Sequence, residues 1–130
     1  MRAVDTNILA RFILRDDERQ ALVADAVLRA PVWVSDTVLL ELGWLLERKL
    51  KMDRAVAAGA LSAVVELETV HVADRAMLLW AVERYRTGAD WADMVHLIAN
   101  RMSADAFVTL DADMARGAGP ISPVPIETLG

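Results

Sequence analysis

Short apolar runs that stop on a polar residue and turn at once into a helix recur along this chain, and that alternation limits the fold more than any other feature. The first is MRAVDTN: Ala3 and Val4 end an apolar run, Asp5 follows, and an apolar-periodic segment begins at Ile8 with Leu9, Phe12 and Ile13. This reads as a buried strand ending on a carboxylate and passing into a helix. Val32–Val34 precedes Ser35 and Asp36, Thr69–Val72 precedes Asp74, and Ala106–Thr109 precedes Asp111 in the same way. Asp5 has a plain reading as a helix N-cap, since Asp there accepts from otherwise unpaired backbone N–H groups. It also stands where open α/β folds bind ligands, beyond the carboxyl end of a strand.

The helices between these runs are set by their punctuation. The first covers 8–15; the second, capped by Asp16 or Asp17, runs to about Arg29 with Leu22, Val23, Ala26 and Val27 as its apolar stripe. The third runs from about Thr37 to Leu50, and the fourth, capped by Asp53, from Arg54 to about Leu67. Asp74 opens a fifth that ends near Thr87 and Gly88, Asp90 opens a sixth, and Asp113-Met114 begins a last short turn. Prolines at 120, 123 and 125 leave a final edge strand around Val124 and Ile126. The pattern predicts one α/β domain, residues 1–130, with a mainly parallel central sheet. Right-handed crossovers bring the strand ends of such a sheet to one rim.

Composition narrows the chemistry. With 55% hydrophobic residues the chain of 130 has material for a core. No apolar run is long enough to span a bilayer, and no small-residue cleavage site follows the first helix, so a cytoplasmic protein is expected. Cysteine is absent and there are two histidines, so a metal would be held by oxygen, which points to Mg²⁺ or Mn²⁺. His71 alternates with Val70 and Val72 and reads as structural. A net charge of −5 argues against non-specific binding of nucleic acid through a basic surface.

Four acidic residues stand out against this frame. Asp5 and Asp111 terminate strands at the expected rim. Glu41 lies within the third helix among Val38, Leu42, Trp44 and Leu45, where a carboxylate is costly unless paired, hydrogen-bonded or metal-bound. Asp93 lies in the first turn of the sixth helix, sharing a face with His96 and Asn100. Each has an ordinary explanation: caps for Asp5 and Asp111, a helix dipole for Asp93, an arginine partner for Glu41. Together, near one rim, they read as a self-repelling cluster that a cation would hold.

The segments AVDTNIL, ELGWLLER, DWADMVHLIA and FVTLDADMA resemble the four motifs of the PIN-domain ribonucleases, in order and across essentially the whole chain. The size resembles that of the VapC-type toxins of toxin–antitoxin pairs. The resemblance implies an α/β/α sandwich, Mg²⁺-dependent endonucleolytic cleavage of RNA, a homodimer and inhibition by a cognate antitoxin. It makes Asp5, Glu41, Asp93 and Asp111 the acidic quartet, with Asn7 orienting Asp5 and Thr109 supporting the site by hydrogen bonding. Asp90 and Asp113 are sufficiently explained as helix-opening residues. Trp91 stands where the family often has Phe.

Three alternatives fit the sequence less well. A phosphoacceptor receiver domain needs a late lysine, and the last lysine is Lys51. A haloacid-dehalogenase-type phosphatase needs that lysine and a second aspartate after the first strand, which DTNIL lacks. A silent binding module of the same fold would leave four intact acidic positions idle. Apolar residues on more than one face of the third helix (Leu39, Leu40, Trp44, Leu46) and of the fifth (Leu78, Leu79, Trp80) suggest surplus surface for a dimer and an antitoxin.

Overall fold

Three short parallel strands organise Met1–Arg75, the first of two compact units into which the chain divides; the second is Ala76–Gly130. In this computed structural model, which describes residues 1–130, β1 (Arg2–Ala3), β2 (Val32–Trp33) and β3 (Val70–His71) pair in sequence order. Ala3 lies opposite Trp33, and Trp33 opposite His71. Val32, Val34 and Val70 are buried while Trp33 and His71 are exposed, the two-residue alternation of a strand. Pairing continues past the strand ends, where the Val4 N–H donates to the Trp33 carbonyl at 3.1 Å and the Val34 N–H to the His71 carbonyl at 2.9 Å.

Parallel strands need crossover connections. The first is α1 (Thr6–Leu14) with α2 (Glu18–Leu28); the second is α3 (Asp36–Trp44), its π-helical continuation Leu45–Lys49, and α4 (Arg54–Glu66). Because all three strands run the same way, α1 and α3 both begin at the carboxyl-end rim. Side chains start them: Asp5 accepts the Ile8 N–H at 3.2 Å and Ser35 accepts the Val38 N–H at 3.3 Å. Asp17 does the same for α2, taking the Gln20 N–H at 3.0 Å. Asp53, expected to cap α4, makes no such bond; the chain arrives through Lys51 in a left-handed conformation, φ 52°, and the Asp53 carboxylate does not meet the first-turn N–H groups.

Two expectations about burial change. The buried face of α2 is Ala21, Ala24 and Leu28, small residues that let the helix lie close to α1. The larger stripe faces outward, with Leu22 58% and Val23 52% exposed. On α3 and its π-helical continuation, Leu39, Leu42 and Leu46 are fully buried, so the surplus there is Trp44, 55% exposed. On α5, Leu78 is buried and Leu79 and Trp80 are half-buried.

The second unit holds α5 (Arg75–Arg86) from its second residue on, α6 (Trp91–Asn100), β4 (Phe107–Thr109), α7 (Ala112–Ala118) and β5 (Ile126–Thr128). β4 and β5 are parallel, Phe107 opposite Ile126 and Thr109 opposite Thr128, and form a sheet of their own. Tyr85, Met94, Leu97 and Ile98 are fully buried. The Tyr85 ring meets Trp91 edge-on, centroids 5.9 Å apart, an aromatic geometry worth about 1 kcal/mol beyond area burial. The fold is thus α/β with every strand pair parallel, and no helix is long and apolar enough to cross a membrane.

Glycine fixes where α7 lies. A Cβ on Gly117 would stand 3.1 Å from the Ala89 Cβ, so the helix can approach the turn before α6 closely. Gly119 ends α7 at φ 72°, ψ −163°, with the Arg84 guanidinium 3.0 Å from where a Cβ would sit. Arg84 Nε also donates to the Gly117 carbonyl at 2.7 Å. Gly59, inside α4, has nothing within 4 Å of its would-be Cβ. Alanine should therefore act with opposite sign at the two sites. In urea unfolding, Gly119→Ala should cost about 1–3 kcal/mol, since that backbone region suits glycine alone. Gly59→Ala should gain about 0.5–1 kcal/mol through helix propensity.

Candidate active site

In the first unit the shared rim brings the start of α1 to the side of α3. Thr6, directly after Asp5, is the one buried polar residue of the chain, 6% exposed. A buried hydroxyl requires a partner, and its Oγ1 donates to Glu41 Oε1. Glu41 is itself exposed, so it is held by Thr6 on one oxygen and open to solvent beyond. Asp5, also exposed, uses Oδ1 to accept the Ile8 N–H. Asn7 lines the same cavity as Asp5 and Glu41. The hydrogen bond that organises this group comes from Thr6, which was not singled out from the sequence. Its signal was there: a hydroxyl immediately after a strand-terminal Asp, at a position that enters the core.

In the second unit the turn before α6 and the start of α7 bound a cavity of about 580 Å³, with Asp90, Asp93, Asp111 and Asp113 on its walls. Asp90 caps α6, its Oδ1 accepting the Asp93 N–H at 3.0 Å. Asp111 caps α7, its Oδ1 accepting the Asp113 N–H at 2.8 Å. The Asp111 N–H in turn donates to Thr109 Oγ1 at 3.0 Å, so Thr109 fixes the backbone that carries Asp111. Asp113 pairs with Arg116; both are about three-quarters exposed (75% and 76%), and such a pair contributes little to stability. Of the residues sharing a helical face with Asp93, His96 interacts with it electrostatically, while Asn100 turns back to donate to the His96 carbonyl at 2.8 Å.

Asp93 is the perturbed group. Partial burial pushes its carboxyl above the ordinary value of 3.8, the charges of Asp90 and Asp111 push the same way, and His96 opposes them. Burial and repulsion outweigh the favourable dipole at the start of α6. A raised folded pKa means that the fold prefers the protonated acid. The associated stability is fully present below the unfolded value and is lost as the pH climbs through the folded one.

The donor chemistry fits a hard divalent ion. In the second unit Asp93 and Asp111 are oxygen donors whose mutual repulsion a cation would relieve; in the first unit, taken by itself, Glu41 keeps an oxygen beyond the one that Thr6 holds. No three Asp, Glu or His side chains form a ready-made cage; Mg²⁺ is commonly bound through one or two carboxylates, with water and substrate phosphate completing its shell.

In EDTA at pH 7, Asp93→Asn should melt at or above the temperature of the parent protein, because the substitution removes a partly desolvated charge. The difference should shrink to nothing as the pH falls below 3.8, where Asp93 is protonated in both states. Thermal melts across that range check it.

Comparison with curated proteins and with solved structures finds no match. The model of the PIN domain matches residues 2–120. PIN domains are usually metal-dependent nucleases acting on RNA. The match runs from β1 to the end of α7 and takes in Asp5, Glu41, Asp93 and Asp111, so the chain belongs to the PIN-domain family.

Proposed function

We propose that this protein is a Mg²⁺-dependent endoribonuclease, with Mn²⁺ as a substitute, and that it is the toxin of a toxin–antitoxin pair. The observation that carries the nuclease reading is Asp93: a half-buried carboxylate under the charges of Asp90 and Asp111, at the motif position of a family whose usual chemistry is metal-dependent. Asp5, Glu41, Asp93 and Asp111 are the proposed metal-binding and catalytic residues, and residues 1–130 the proposed single domain. The family match across both compact units supports this assignment.

When bound, Mg²⁺ would polarise a phosphodiester and lower the pKa of a water for in-line attack. The chain's own residues supply orientation. Thr6 fixes Glu41, Thr109 fixes the Asp111 backbone, and Asn7 is assigned to the surroundings of Asp5. Asp5 and Asp111 are rigid because each anchors a helix start with one oxygen, which leaves the other for the ion.

The toxin role rests on the motif resemblance and the small size. A cognate antitoxin and a homodimer go with it; Leu22 and Val23 on α2 are exposed apolar residues of the kind a protein partner covers.

Purified protein should cleave single-stranded RNA with Mg²⁺ or Mn²⁺ and stop in EDTA. Asp93→Asn should lower kcat by about 100-fold or more while the fold remains intact by circular dichroism. Undiminished metal-dependent cleavage by Asp93→Asn would overturn the assignment. Thr6→Val should reduce kcat about tenfold by releasing Glu41, as loss of an outer-shell partner does, and Thr6→Ser should restore most of it.

A further inference from the structure

Beside Glu41 lies a feature that neither metal binding nor the helical core explains. Trp44 is three residues after Glu41 on α3 and so shares its face. It is 55% exposed, an expensive way to keep the largest apolar side chain unless a ligand uses it. Immediately afterwards the helix widens into the π-helical stretch Leu45–Lys49, where the Leu50 N–H reaches back to the Leu45 carbonyl at 3.0 Å. π-Helical turns are rare and concentrate at functional sites. Here the extra residue in the turn carries Lys49 round to the Glu41 side. Trp44 and Lys49 accordingly line one cavity of about 230 Å³ together with Asp5, Thr6, Asn7 and Glu41. Lys49 is exposed, and carboxylates lie on the same cavity walls.

We infer that Trp44 and Lys49 form the substrate-positioning edge of the site: the Trp44 indole stacks on an unpaired base of the RNA, and the Lys49 ammonium contacts the adjoining phosphate. This rests on the nuclease reading above. An indole face with a neighbouring cation is what single-stranded nucleic acid needs, because every base has a π-face and every linkage a charge. A base buried in a duplex has no free face to offer, so the preferred substrate is a loop or single strand. On a chain of net charge −5, a lysine placed beside the carboxylates is also the local counterweight that lets a phosphate approach them.

The test uses the full-length Asp93→Asn protein with Ca²⁺ in place of Mg²⁺, so that binding is read without turnover, and a single-stranded RNA oligonucleotide as probe. Trp44→Ala should weaken binding about tenfold, the scale of one stacked base, while Trp44→Phe keeps most of the affinity. Lys49→Gln should lower the slope of log K against log salt by about 0.7, one phosphate contact on a single strand. In a background with Asp93 intact, Trp44→Ala should raise KM and leave kcat nearly unchanged. Trp44 in the free protein should be open to acrylamide quenching and shielded once RNA is added. Cleavage of RNA with binding indifferent to Trp44→Ala would overturn this inference and leave the nuclease reading standing. Trp44-dependent binding without cleavage would do the reverse. Shielding of Trp44 in the free protein at dimer-forming concentration would assign the indole to a protein interface and overturn the inference.

Discussion

The parallel register of β1, β2 and β3 is the constraint on which the first unit depends. Two-residue strands contribute little hydrogen bonding of their own, yet their common direction decides where every following helix begins. Since β1 and β2 run the same way, Asp5 and Ser35 stand on one rim and α1 and α3 start side by side. Thr6 and Glu41, 35 residues apart in sequence, can then share a hydrogen bond. A reversal of either strand would carry one of these groups to the opposite end of the sheet.

Capping falls to side chains that include two of the proposed metal-binding residues, Asp5 and Asp111. Asp5, Asp90 and Asp111 each accept a backbone N–H at a helix start, a contribution of about 1 kcal/mol apiece. A carboxylate has two oxygens, so a cap does not exhaust it, and the cap holds the second oxygen steady. The ordinary explanation and the functional one are therefore compatible. Asp93 differs in that it caps nothing; its N–H is received by Asp90 while its own carboxylate is partly desolvated beside two like charges. A group kept in such surroundings, at a stability cost to the metal-free fold, is the kind found at reactive sites.

The second unit achieves its geometry through small residues. Gly117 against Ala89 and Gly119 against Arg84 draw α7 close to the turn that opens α6, and that approach sets Asp111 near Asp93. In the first unit the comparable role falls to Ala21 and Ala24 of α2.

The order of strands, caps and helices was legible in the chain because it depends on local period and punctuation. The motifs gave the family that the match over residues 2–120 bears out, and the caps at Asp5 and Asp111 were legible because each residue follows a strand and opens a helix. Which face of an amphipathic helix is buried was not legible: α2 carries a larger apolar stripe at Leu22 and Val23, but buries Ala21, Ala24 and Leu28 because closeness of approach to α1 outweighs side-chain size. Nor was the Thr6–Glu41 bond, which joins residues distant in sequence, or the repulsion on Asp93, which depends on what folding places beside it. Local propensity determines what each segment becomes; burial, partners and electric field belong to neighbours that only the tertiary structure supplies.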